Sequence, residues 1–112
     1  MISGQAIKIN LNYANAYNGR GYSKYHLGQN KEAIADFDQA IKLYEAMISG
    51  QAIKMDVSYA IAYRWRGSIK YDLGQKKEAL ADYKKAAELF KQQGKTSYYQ
   101  DTVKRIEILS AQ

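Results

Sequence analysis

The 112-residue sequence predicts an all-α fold of antiparallel helix-turn-helix repeats, an α-solenoid closed by a C-terminal helix. The octet Met1-Ile2-Ser3-Gly4-Gln5-Ala6-Ile7-Lys8 returns unchanged at 47–54. Its core Gln-Ala-Ile-Lys also stands at Gln39-Ala40-Ile41-Lys42, so a step of 34 residues (5 to 39) is followed by one of 12 (39 to 51). Fixed periods of about 20–50 residues mark stacked repeats, in which a helix pair cannot bury its apolar face alone. Between the repeated segments, apolar residues recur at three and four and are interrupted only by short Gly-led breaks.

Residues 1–8 read as the remaining end of an earlier second helix, packed on the helix after it. Asn12 and Ser58 are N-cap types one residue before Tyr13-Ala14-Asn15-Ala16-Tyr17 and Tyr59-Ala60-Ile61-Ala62-Tyr63, and each stretch runs on to Leu27 or Leu73. Gly28-Gln29-Asn30 and Gly74-Gln75-Lys76 then turn the chain, because glycine follows a helix cheaply in the left-handed conformation. Second helices begin near Lys31 and Lys77, with buried stripes Ala33, Ile34, Phe37, Ala40, Ile41 and Ala79, Leu80, Tyr83, Ala86, Ala87. The repeats thus occupy 13–46 and 59–92. Past Gly94, Ser97 and Gln100 have capping-box spacing, and Tyr99, Val103, Ile106 and Leu109 line one face of a capping helix over 97–110.

The 12-residue step is an insertion at 43–54, whose removal would restore a 34-residue spacing between Gly21 and Gly67. Ile34, Ile41, Ile48 and Met55 are spaced by seven, with Phe37, Tyr44, Ala40 and Met47 on the same stripe. That stripe favours one elongated helix from about residue 31 to 54. Gly50 opposes it by about 1 kcal/mol relative to alanine, and a break at Ser49-Gly50 is the alternative. A continuous helix would be about 18 Å longer and would rotate the second helix pair by about 120°, so that pair could not stack ordinarily on the first. The exposed stripe Tyr44, Met47 and Ile48 would then be covered by another copy, giving a domain-swapped or otherwise dimeric homo-oligomer.

Composition narrows the function. There is no Cys and no Pro, so disulfides, thiolate metal sites and a cysteine nucleophile are excluded together, and a reducing compartment is permitted. No apolar run reaches the roughly 18 residues of a membrane span, and the first ten residues do not resemble a signal peptide; a soluble, cytoplasmic protein without membrane contact is the expectation. His26 is the only histidine, and no nucleophile motif accompanies it. Asp36 with Asp38, and Asp56 alone, lack the spacing of a calcium or two-His site, while Gly19, Gly21 and Gly28 follow no strand and make no phosphate loop. Neither an enzyme nor a cofactor nor a metal is expected.

The two units resemble tetratricopeptide repeats (TPR). In the first, Ala16, Tyr17, Gly21, Tyr25, Leu27, Gly28, Ala33, Ile34, Phe37, Ala40 and Leu43 fall where that family places small, aromatic or aliphatic residues; in the second, Ala62, Tyr63, Gly67, Tyr71, Leu73, Gly74, Ala79, Leu80, Tyr83, Ala86 and Leu89 take the same roles. Residues 85–112 resemble the closing helices of bacterial proteins of this kind. The family's usual Pro before each repeat is replaced by Leu11 and Val57, so the preceding helix is less firmly stopped. The resemblance implies a non-catalytic protein-protein interaction scaffold for a protein or peptide partner. Its concave groove maps onto Asn15, Asn18, Tyr22, Tyr25 and His26, then Ile61, Arg64, Trp65, Ser68, Tyr71 and Asp72. Arg64 and Trp65 are the sharpest of these, as Arg and Trp are enriched among hot spots. Trp65 either meets the partner or packs against a neighbouring helix. The lysine and asparagine clamp that some members use for acidic C-termini is not matched.

Net charge is +6, and residues 47–112 hold twelve Lys/Arg against seven acids. A basic nucleic-acid-binding module using Arg64, Arg66, Lys70, Lys76, Lys77, Lys84, Lys85, Lys91 and Lys95 is therefore the alternative. The interleaved Glu78, Asp82 and Glu88 make a solvated helix face the simpler account. An engineered or structural self-assembling repeat with no ligand is the remaining reading, and the octet identity fits it.

Overall fold

A computed structural model describes residues 4–47 and 56–112, with side chains from residue 10 onward. Among the described residues there are five helices: α1 (Gly4–His26), α2 (Asn30–Ala46), α3 (Val57–Asp72), α4 (Lys76–Gln92) and α5 (Thr96–Ser110). No strand occurs among them. Successive helices pack pairwise, and α3 also touches α1, so α1, α3 and α5 line one side of the stack while α2 and α4 form the other.

Three tight turns set the antiparallel geometry. Gly28, Gly74 and Gly94 stand at φ 77, 80 and 69, the left-handed region that glycine enters without a Cβ penalty. The residue after each glycine donates its amide five residues back: Gln29 to Lys24 O at 2.9 Å, Gln75 to Lys70 O at 2.8 Å and Lys95 to Phe90 O at 2.9 Å. This is the Schellman closure of a helix C-terminus, and it satisfies carbonyls the helix end would otherwise leave open.

Helix starts differ from the sequence reading. α1 runs through Asn12 as one helix from Gly4, so Asn12 caps nothing, and residues 4–8 are part of α1 itself. With Leu11 where a proline would stand, no missing N–H stops the helix there. α3 is capped by Asp56 rather than Ser58: the Asp56 carboxylate accepts the Ser58 amide at 2.8 Å. α5 starts at Thr96 behind Lys95 without a side-chain cap, so the Ser97 capping box does not form.

The elongated helix over 31–54 is also corrected. α2 ends at Ala46, where the Met47 amide closes back on Tyr44 O at 3.1 Å, and residues 48–55, including Ile48, Ser49 and Gly50, lie outside the described residues. α3 then stacks on the first pair as in an ordinary solenoid. Tyr44 and Met47, expected on an exposed stripe, are 0% and 2% exposed. The Tyr44 ring sits 5.7 Å from that of Tyr59, and its hydroxyl donates to Asn15 Oδ1. Enclosing Tyr44, Met47 and Tyr59 together outweighs the few helical hydrogen bonds a continuous helix would add, since each large side chain contributes about 1.5–3 kcal/mol on burial.

The main core gathers Phe37, Ile41, Tyr44, Tyr59, Ile69 and Phe90, and a smaller cluster holds Ala79, Tyr83 and Leu109. Close helix approach at the two predicted glycines is observed. A Cβ on Gly21 would lie 3.1 Å from the Phe37 ring, and one on Gly67 would lie 3.2 Å from the Ala79 carbonyl oxygen and from Asp82 Cβ.

Each helix pair is locked by the same ionic fork. Arg20 donates through Nε and Nη2 to both Asp36 oxygens at 2.8 Å, and Arg66 does the same to Asp82 at 2.8 Å. Lys24 and Lys70 add a second cation to each aspartate, at 3.2 and 3.3 Å. The Arg20 hydrogen bonds hold the Asp36 carboxyl below its ordinary pKa against the opposing effect of burial. A planar guanidinium matches a carboxylate in this two-point manner and a lysine does not.

Candidate partner-binding groove

On the side of the stack made by α1, α3 and α5, side chains converge around Trp65. The indole is half-buried and packs against α1 of its own chain: Tyr22, Tyr25 and His26 lie with ring centroids 5.0, 5.8 and 6.2 Å from it. Tyr22 and His26 meet edge to face at 4.3 Å, the arrangement that suits the ring quadrupoles. Arg64 stands 4.9 Å from the indole centroid, and its guanidinium donates to Asp101 of α5 at 3.0 Å. Trp65 is thus held by the α1 rings and Arg64 and stays partly exposed.

Three cavities meet at this residue. One of about 300 Å³ is bounded by Tyr25, Trp65, Ser68, Tyr71, Asp72, Tyr83, Arg105, Ile108 and Leu109. A second, about 350 Å³, lies between Asn15, Asn18, Gly19, Tyr22, Ser58, Ile61 and Trp65. The third, about 270 Å³, is lined by Ile61, Arg64, Trp65, Tyr98 and Asp101. Ten of the eleven groove residues named from sequence border one of these cavities; His26 borders none and contributes only its ring contacts. Side chains from α4 and α5, namely Tyr83, Tyr98, Asp101, Arg105 and Ile108, were missed. The expected apolar face of the last helix omits Tyr98, Asp101, Arg105 and Ile108, and only the 60% exposure of Ile108 sets it apart from core residues.

The electrostatics are mixed. In the first cavity the Tyr25 hydroxyl donates to Asp72 at 2.8 Å, and burial together with that bond raises its pKa to about 12. The Ser68 and Tyr83 hydroxyls pair at 2.8 Å, and Arg105 supplies a cation that is 46% exposed. In the second cavity Asn18 Nδ2 donates to Ser58 O at 3.2 Å, while its Oδ1 is buried without a partner. That orphan acceptor matters because an unpaired buried oxygen costs free energy until a donor reaches it. The surface can therefore offer an aromatic shelf, a carboxylate in Asp72 and a guanidinium in Arg105.

Among the described residues no cluster of three or more His, Cys, Asp or Glu could hold a metal, and no helix is long and apolar enough to cross a membrane. The cations weighed for nucleic acid are partly committed elsewhere: Arg64 pairs with Asp101, Arg66 with Asp82 and Asp38, and Lys70 with Asp82.

The tetratricopeptide repeat family matches the chain twice, at residues 14–46 and at residues 60–93. No curated protein and no solved structure matches it. Repeats of this type are typically non-catalytic protein-interaction scaffolds. Since the two matches together cover more than half of its length and the helix pairs stack in order, the chain belongs to the tetratricopeptide repeat family.

Proposed function

We propose that the protein is a non-catalytic interaction module that holds a peptide segment of a partner protein in the groove centred on Trp65. One observation carries the reading: a single indole borders three adjoining cavities, so a bound chain can run along α1, α3 and α5 while keeping contact with the same anchor. An apolar or aromatic side chain suits the cavity beside Trp65, Tyr25 and Ile108. A cation suits Asp72. Half-buried Trp and Arg surrounded by contacts that exclude water are the common makings of a hot spot.

The self-associating form of this reading loses support, because Tyr44 and Met47 are spent inside the chain's own core. Peptides selected from a displayed random library test the groove. Their affinity, measured by calorimetry, is expected to fall by about 2 kcal/mol in Trp65→Ala. Selected peptides whose affinity is indifferent to Trp65→Ala and to Arg105→Ala would overturn the proposal.

A further inference from the structure

The two repeats present the same helix face in two different situations. On α3, Tyr59, Ala62, Tyr63 and Arg66 are covered by α2: Tyr59 and Tyr63 both donate to Glu45 Oε2, at 3.1 and 2.7 Å, and Arg66 Nη1 donates to Asp38 at 2.9 Å. Forty-six residues earlier, Tyr13, Ala16, Tyr17 and Arg20 stand at the equivalent positions on α1. There Tyr13 is 61% exposed, Ala16 is exposed, and the Arg20 side chain is 59% exposed.

The open face is already built for docking. Arg20 lies 5.3 Å over the Tyr17 ring, as Arg66 lies 5.2 Å over Tyr63. Its Nε and Nη2 are held by Asp36, leaving Nη1 directed away from the fork, where Arg66 uses Nη1 for Asp38. Ala16, Tyr17 and Arg20 border a cavity of about 150 Å³. The Tyr17 and Arg20 side chains are therefore positioned before anything binds, which lowers the ordering cost of association.

We infer that this face of α1 is a second docking site, separate from the groove, for an amphipathic helix carrying two carboxylates seven residues apart, as Asp38 and Glu45 are on α2. Seven residues are about two helical turns, so both acids fall on one side. The partner's aspartate meets Arg20 Nη1 and its glutamate accepts from Tyr13 and Tyr17. A second copy of the chain is a poor occupant. Its α2 is enclosed between α1 and α3, and its α4 has Lys84 and Lys91 where α2 has Asp38 and Glu45, which would set lysines against Arg20.

The probe is a synthetic helix with the sequence of residues 30–47, locked by a covalent link between its exposed positions Lys31 and Ala35, titrated into the full chain by calorimetry. One peptide per chain is expected. Ala16→Glu, at an exposed position where folding is not at stake, places bulk and negative charge on the face; a loss of affinity of at least about tenfold is expected, as for a lost charge-assisted bond. Tyr13→Ala weakens binding in the same way, and peptides with Asp38→Asn and Glu45→Gln bind less. Trp65→Ala leaves the affinity unchanged, which separates this site from the groove. No binding by the locked helix, or binding that ignores Ala16→Glu, overturns the inference. So does a chain that dimerises by itself and becomes monomeric with Ala16→Glu, because the occupant is then a second copy.

Discussion

Arg66 joins the two repeats through Asp38: one nitrogen crosses 2.9 Å to that aspartate on the first pair while the other edge of the guanidinium forks onto Asp82 in its own pair. Asp82 is buried and Asp38 largely exposed, so the two bonds differ in worth. Arg66→Ala leaves Asp82 with Lys70 alone and is expected to cost about 2–3 kcal/mol, somewhat below the full loss of a buried pair. Asp38→Ala is expected to cost less than about 1 kcal/mol, the usual scale of an exposed pair. Urea unfolding of both variants checks the order, and equal losses would contradict it.

Three glycines separate helix propensity from fit. At Gly19 an added methyl meets nothing, so Gly19→Ala is expected to stabilise by up to about 1 kcal/mol. At Gly67 the same methyl meets a backbone oxygen and an aspartate held by Arg66, neither of which can give way easily. Gly67→Ala is expected to destabilise by about 1–2 kcal/mol despite the better helix former. Gly74→Ala pushes a Cβ into the left-handed region and is expected to cost about 1–2 kcal/mol. Thermal melts give the three signs.

Alkaline pH is expected to unfold the protein through its buried tyrosines. Burial raises Tyr59 to about 12, and it raises Tyr44 and Tyr63 further. A raised tyrosine pKa favours the protonated form in the folded state. The contribution is therefore complete below the ordinary value of about 10 and is lost as pH climbs through the folded value. A stability profile by circular dichroism that stayed flat from pH 9 to about 12 would rule this out.

At the acid end the sign reverses. Asp36 is depressed, mainly by its hydrogen bonds from Arg20, so its contribution is present above its ordinary value of 3.8 and fades as pH falls through the lower folded value. Asp36→Asn is expected to flatten the acid limb of the profile while lowering stability near neutrality.

The repeats were legible because their spacing is written twice. Small residues at Ala33 and Ala79, glycines at the close approaches and glycines at the turns each have one physical role, which a 46-residue offset displays in duplicate. The groove positions on α1 and α3 were named by resemblance, and apart from His26 each borders one of the three cavities beside Trp65. The end of α2 was not legible, because the stripe through Ile34, Ile41 and Ile48 has the same period whether a helix continues or stops. What decides is the competing burial of Tyr44 and Met47 against Tyr59, a tertiary effect that no local period records. The Arg66 fork escaped for a related reason: its partners stand 16 and 28 residues away, and an arginine reads as a surface cation until its carboxylates are placed. Likewise, Leu11 and Asn12 show a possible boundary, yet nothing in their chemistry forces one.

The position of α3 has a further consequence for motion. It shares faces with α1, α2 and α4, whereas α5 leans on α4 and has only two buried side chains, Thr102 and Leu109. Amide protons should report that inequality. Those of α3 are released from exchange protection only when the whole stack opens, while α5 peels away in partial openings that leave the first four helices paired. Because Arg105, Ile108 and Asp101 ride on α5, one wall of the groove belongs to the least protected part of the chain, and a bound partner that touches it would slow the exchange of α5 first.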